Sequence, residues 1–264
     1  MSIRTLLLLI IVIGLTPDSI FAEVTRKTVH NPDGTKHVIF LSKGKEVAKE
    51  ILDKNNTLIK TTGKIPDGTV KEYYGNGKLK AEWNYKNSKL EGINKEYYEN
   101  GKLKAEWNYK NSKLEGINKE YYENGKLKAE WNYKNSKLEG IGKEYHENGK
   151  LKAEWNYKNG KLEGISTQYH MGGAILAKRN FKDGKPEGIT KMYQESGELL
   201  AELNYKSGIM DGTSKVYYKN GKLRSTETYE NGQVLNRKAY NSNGELNHED
   251  NPPLQDKDKK SKIN

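Results

Sequence analysis

The chain has 264 residues, 33% apolar and 31% charged, with 26 Gly, 18 Tyr, 4 Trp, no Cys and a formal net charge of +11. The absence of cysteine excludes disulfides, thiolate metal sites and a cysteine nucleophile. With little aliphatic content beyond the first 22 residues, Tyr and Trp are expected to supply most of the buried surface of a thin, elongated protein.

Residues 1–22 read as a secretory signal peptide: Arg4 precedes an apolar run from Leu6 to Leu15, and a cut after Ala22 follows Thr16, Pro17, Asp18 and Ser19. The run is too short to span a bilayer, and the expected location is secreted or periplasmic. Residues 23–67 look like a divergent β-hairpin cap, with Asn31-Pro32-Asp33-Gly34 between two short strand-like runs.

From residue 68 the chain repeats. Trp83, Trp107, Trp131 and Trp155 are 24 residues apart, and Gly68, Gly92, Gly116, Gly140, Gly164, Gly188 and Gly212 keep the same step. Seven units therefore fill residues 68–235. The block Ala81 to Lys104 recurs letter for letter at Ala105 to Lys128, and again at Ala129 to Lys152 with only Gly142 and His146 changed. Such a period marks an array whose units cannot stand alone.

Within a unit, Asn100-Gly101 and the stretch from Asn87 to Gly92 are turns. Leu103, Ala105, Trp107 and Tyr109 alternate with Lys102, Lys104, Glu106, Asn108 and Lys110, the period of a half-buried strand. A three-residue loop, Glu99 to Gly101, would set Tyr97 opposite Leu103, Ile93 opposite Trp107, Glu96 opposite Lys104 and Tyr98 opposite Lys102. That register gathers the apolar residues on one face. The fold class is therefore all-β: an elongated array of antiparallel hairpins in a twisted ribbon, rising about 10 Å per unit. Residues 236–246 begin a partial C-terminal repeat. Residues 247–264, with two prolines and mixed charge, are expected to be a disordered tail.

The pattern EYYENGKLKAEWNYKNSKLEG, together with Asn159-Gly160-Lys161-Leu162-Glu163-Gly164, resembles MORN repeats, in particular the bacterial variant of the YwqK-type antitoxin family. The resemblance covers about two-thirds of the chain. It implies hairpins in a row, a binding or scaffolding role and, more distantly, neutralisation of a partner toxin. Ser88, Ser112 and Ser136 depart from it, standing where Gly160 and Gly184 stand in later units.

Two columns are candidate sites. Trp83, Trp107, Trp131 and Trp155 form a structural aromatic column on the expected buried face, the alternative being a stacking platform for sugars. Tyr74, Tyr98, Tyr122, His146, His170 and Tyr218 form a second column, a candidate binding surface on the polar face. Its alternative role is to cover the stem of the opposing Lys. His146 and His170 lie one period apart with no third ligand converging, so neither metal nor cofactor is expected. Charge exceeds neutrality by about one per unit, which reads as a solvated mixed surface and argues against a nucleic-acid partner. Glu96, Glu106 and their copies recur through the first four units, whereas an active site needs a unique pocket, so neither catalysis nor a small-molecule substrate is expected. The expected function is an exported scaffold that binds another protein in an antitoxin- or immunity-like way. The alternative is a binder of cell-wall glycan or an anionic lipid surface through the aromatic columns.

Overall fold

The computed structural model describes residues 23–252. Among the described residues the protein is entirely β: 26 strands in one open sheet, without a helix. The expected signal peptide, residues 1–22, lies outside the described residues, as do residues 253–264.

One hairpin illustrates the unit. Strands Gly92–Tyr97 and Leu103–Lys110 are joined by the expected three-residue loop. Tyr98 N–H donates to Lys102 O at 2.9 Å and Gly101 N–H to Tyr98 O at 2.8 Å, with Gly101 at φ +83°. The Asn100 side chain accepts from Lys102 N–H at 2.9 Å, which is why Asn precedes the glycine. Tyr97 pairs with Leu103 as expected, but the next pair is Glu96 with Ala105, because Lys104 bulges out of the ladder. Trp107 then faces Asn94 and Ile93 faces Asn108, correcting the expected Ile93–Trp107 and Glu96–Lys104 pairs.

A one-residue slip exchanges the faces. The inner face carries Asn94, Glu96, Ala105, Trp107 and Tyr109. The outer face carries Ile93, Lys95, Tyr97, Leu103, Glu106 and Asn108. Hydrogen bonds agree with that division: Trp107 Nε1–H donates to Glu96 Oε1 at 2.9 Å, and Tyr97 Oη–H donates to Glu82 Oε2 of the preceding unit at 2.8 Å.

The second turn of each unit is a two-residue reversal. Asn111 and Ser112 sit at φ +50° and +62°, the conformation of a type I′ turn, and place Lys110 opposite Lys113. These turns stack. Ser112 N–H donates to Leu90 O of the preceding unit at 2.8 Å, and Leu90 N–H donates back to Ser112 Oγ at 3.0 Å. Serine at φ > 0 is strained relative to glycine, and the hydroxyl supplies a bond that Gly160 and Gly184 cannot. The Glu91 carboxylate accepts from Asn111 N–H at 2.8 Å. The same clasp recurs from Asp67 to Asn87, Glu115 to Asn135, Glu139 to Asn159, Glu163 to Asp183, Glu187 to Ser207 and Asp211 to Asn231. Successive hairpins otherwise share a short ladder, such as Ala81 with Glu96 and Glu82 with Lys95, so the clasps carry much of the joint.

The N-terminal cap is larger than one hairpin. Four strands, β1 (Val24–His30), β2 (Lys36–Ser42), β3 (Lys45–Leu52) and β4 (Leu58–Gly63), form an antiparallel meander. β1 runs parallel to β5 (Gly68–Tyr73), the first strand of the array, and covers its edge. Among the described residues, the one apolar core cluster lies at this junction: Val38, Phe40, Ala48, Ile65, Val70 and Tyr85. Phe40 meets Tyr85 edge-on at 5.5 Å between centroids. Elsewhere the sheet is a single layer. Apart from Phe181, the buried positions there are small or polar, Ala105, Ala129, Asn94 and Asn118 among them, whereas Trp107 and Tyr109 are half-buried. The aromatics therefore roof small residues instead of filling a core, contrary to expectation. At the other end, the boundary expected at Asn247 falls inside a strand, Leu246–Asp250, which pairs with Gln233–Tyr240. The turn at Asn243-Gly244 closes that hairpin.

Candidate interaction surfaces

On the inner face each tryptophan answers to its neighbours. Trp107 and Trp155 donate to Glu96 and Glu144, whose other oxygens meet Lys104 at 3.4 Å and Lys152 at 3.1 Å. At Trp83 the equivalent carboxylate, Glu72, is taken: Arg26 Nε and Lys80 Nζ each lie 2.8 Å from it. The Arg26 guanidinium stacks 4.0 Å from the Trp83 ring, and Trp83 Nε1 is buried without a partner. Burial works to raise the Glu72 pKa, but Arg26 and Lys80 outweigh it and hold the carboxyl below its usual range. Trp131 differs again. It leans over Gly142 of the next unit, where a Cβ would meet Trp131 Cε3 at 2.5 Å, and lies edge-on to Tyr157 at 6.2 Å.

The second column is spent on stacking the loops. Tyr74, Tyr98, Tyr122 and Tyr218 each donate their hydroxyl to a backbone oxygen of the next unit: Tyr97 O, Tyr121 O, Tyr145 O and Tyr240 O, at 2.6, 2.7, 2.7 and 2.8 Å. His146 and His170 donate through Nε2 to Tyr169 O at 3.2 Å and Tyr193 O at 3.0 Å, which requires the proton on Nε2. All six side chains are half-buried. Histidine thus replaces tyrosine here as another ring with a donor at its tip.

The outer face holds what the sequence reading placed elsewhere. Ile93, Ile117, Ile141, Ile165 and Ile189 are each more than half exposed and stand in line one unit apart. Thr69 and Thr213 occupy the equivalent strand positions at the two ends. Beside the isoleucines runs a Lys/Glu row, with Lys119–Glu130 at 3.5 Å, Lys143–Glu154 at 3.8 Å and Lys191–Glu202 at 3.4 Å. Shallow grooves open between successive isoleucines. Tyr97 and Tyr121, hydrogen-bonded to Glu82 and Glu106, have pKa values pushed up to about 12, by burial first and the carboxylates second. They stay neutral donors at physiological pH.

Charge is not evenly mixed. The outer Lys/Glu row is balanced, whereas the two-residue turns set lysine directly against lysine along one edge. The expected mixed solvated surface is therefore uneven, and on that edge it carries a row of lysine pairs. Two signals for these features were in the sequence: an acid immediately before each of the seven period-setting glycines, and lysine on both sides of the turn pairs at 87–88, 111–112, 135–136, 159–160 and 183–184. The isoleucine column carried no such signal, because the bulge that exposes it does not interrupt the alternation from Leu103 to Tyr109.

Among the described residues, no group of three His, Asp or Glu side chains is arranged to hold a metal ion. The geometry defines a repeat protein built of 24-residue β-hairpins with neighbour-to-neighbour joints. The MORN repeat variant family matches residues 66–87, 90–111, 114–135, 138–159, 186–207 and 210–231, half of the chain in all, and the chain belongs to that family. The strands Gly164–Tyr169 and Ile175–Lys182 lie between matched segments, yet pair in the same bulged register as the rest. No curated protein matches the chain.

Proposed function

We propose that this chain is an exported, non-catalytic repeat scaffold whose outer face binds another protein, in an antitoxin- or immunity-like role. The observation that carries the reading is the line of five exposed isoleucines beside a charge-balanced Lys/Glu row. Such a strip favours an apolar strand or helix face flanked by polar groups over a charged partner. The chain uses Thr69 and Thr213 at the equivalent end positions, so the fold does not need isoleucine there. Arg4 and the apolar run from Leu6 to Leu15 support export.

The test begins with capture from an envelope fraction, followed by pairwise measurement with each identified protein. The triple variant Ile117→Thr, Ile141→Thr, Ile165→Thr should keep the β signature in circular dichroism and lose at least tenfold in affinity. Equal affinity for the variant, or no partner at micromolar concentration, overturns the reading. For the antitoxin-like role, co-expression with the captured partner should restore growth that the partner alone arrests. A second reading, a binder of wall glycan or anionic lipid, draws on the half-exposed Trp107, Trp131 and Trp155 rings. Sedimentation with peptidoglycan or anionic vesicles at physiological salt should then retain the chain, and failure of both ends that reading.

A further inference from the structure

Five successive two-residue turns pair Lys86 with Lys89, Lys110 with Lys113, Lys134 with Lys137, Lys158 with Lys161 and Lys182 with Lys185. Like charges placed directly across a ladder destabilise it, and all ten side chains are exposed. Each turn also seats one carboxylate on its backbone: Asp67, Glu91, Glu115, Glu139 and Glu163 each accept the first N–H of the following turn, so every lysine pair shares its turn with one such acid and keeps an excess of positive charge over it. Among the described residues, the one ion pair these ten lysines make is Lys161–Asp183, at 3.2 Å. The row ends where Lys206 faces Ile209 and Glu230 faces Gln233. Because the turns stack, the row is continuous, with two ammonium groups for about every 10 Å of array, two strand spacings.

We infer that this lysine edge is a binding track for a linear phosphate-bearing polyanion, followed from Lys86–Lys89 to Lys182–Lys185. Shape and chemistry select that ligand. Strands twist by about 20–25° each, so eight strand steps turn the edge through about 160–200°. A flat membrane would meet one or two turns at a time, whereas a flexible chain follows all five. The edge holds lysine and no arginine, which suits singly charged phosphodiesters approached from any direction better than carboxylates that favour the arginine fork. None of the ten track positions or the two residues between each pair is aromatic, so nothing offers to stack a base. This inference concerns an edge and is independent of the protein-binding reading of the outer face.

The probe is long-chain inorganic polyphosphate, titrated at 50 and 200 mM salt by calorimetry against the full chain. Two variants of equal charge change are compared: K110Q/K113Q/K134Q/K137Q on the track, and K102Q/K104Q/K126Q/K128Q around the opposite loops. The track variant should lose at least tenfold in affinity and shed about 3 from the log–log salt slope, at about 0.7 per neutralised phosphate. The opposite-edge variant should stay within threefold of the native chain, and affinity should rise with probe length until about 40 Å is spanned. The track variant should melt at or above the native temperature. Equal loss in both variants, no binding, or a lowered melting point overturns the inference. Poly-glutamate or anionic vesicles held as tightly as polyphosphate would assign the edge to an acidic protein or a membrane instead. Tighter binding of an oligo-dT would show that bases are read, and also overturns it.

Discussion

Gly142 is the position at which a larger side chain should be better tolerated than a smaller one. In its sister units the position is held by Asn94 and Asn118, fully buried, whose Oδ1 accepts from Asn84 and Asn108 N–H, each at 2.6 Å. Gly142 offers Asn132 N–H no such acceptor, and Trp131 leans into the space. In Gly142→Ala the new Cβ would lie 2.5 Å from Trp131 Cε3. The ring must move with no hydrogen bond gained, an overpacking cost of about 1–3 kcal/mol, against which removing a glycine returns about 0.5–1 kcal/mol. Net destabilisation of about 1 kcal/mol is expected. Gly142→Asn moves the same ring but adds an acceptor worth about 1 kcal/mol. It also pushes Trp131 back to where its Nε1 can reach Glu120, as Trp107 reaches Glu96. Net stabilisation of about 1 kcal/mol is expected. Denaturant titration, with hydrogen exchange at Asn132, reads both, the local probe being needed because repeat arrays can depart from two-state unfolding. Destabilisation of both variants to the same degree would refute the account of Trp131.

Glu115→Ala should weaken the joint by about 1 kcal/mol and speed exchange at Asn135 N–H, since it removes a charged acceptor at 2.9 Å, whereas Glu99→Ala in the exposed loop should change neither. Ser112→Gly should leave stability within about 0.5 kcal/mol, because relief at φ +62° offsets the lost bond to Leu90 N–H; a loss beyond 1 kcal/mol would show that the hydroxyl dominates. Docking of the cap should depend on acid. Burial opposes ionisation of Glu72, but Arg26 and Lys80 hold its folded pKa below the 4.5 of a free carboxyl, so its stabilisation is complete above that value and fades as pH falls through the lower, folded one. Tryptophan fluorescence between pH 7 and 2 should report undocking at Trp83, and Arg26→Gln should move that transition to higher pH.

The fold was legible because its two turn types are written in short-range chemistry. Asn100-Gly101 and the Asn-Ser or Asn-Gly pairs demand left-handed residues at defined points, and seven repetitions fix the count. The faces were less legible. Leu103, Ala105, Trp107 and Tyr109 alternate without a break, yet Lys104 sits in a bulge, so Leu103 joins Tyr97 on the outer face and Ala105 joins Glu96 on the inner. A bulged residue leaves no mark in a period-two pattern when charged and apolar positions still alternate around it. The Tyr98 column was found by periodicity alone. Its bond to Tyr121 O depends on the offset between neighbouring hairpins, which the pattern within one unit does not contain.

A single-layer sheet with one small core at its end must hold together through its joints, and these joints are polar: a carboxylate on a turn N–H, a tyrosine tip on a loop carbonyl, a serine hydroxyl on a leucine N–H. Each bond reaches only the next unit, so the stability of the array is a sum of neighbour terms, and a defect in one unit is felt by two. That locality explains why His146 and His170 can replace tyrosine without disturbing the strands around them. It also leaves the side chains that serve no joint, the isoleucines of the outer face and the lysines of the turn edge, free to vary without cost to the fold. The lysine pairs weaken the very turns that carry them, so the array stands in spite of them, and replacing them by glutamine should cost the fold nothing.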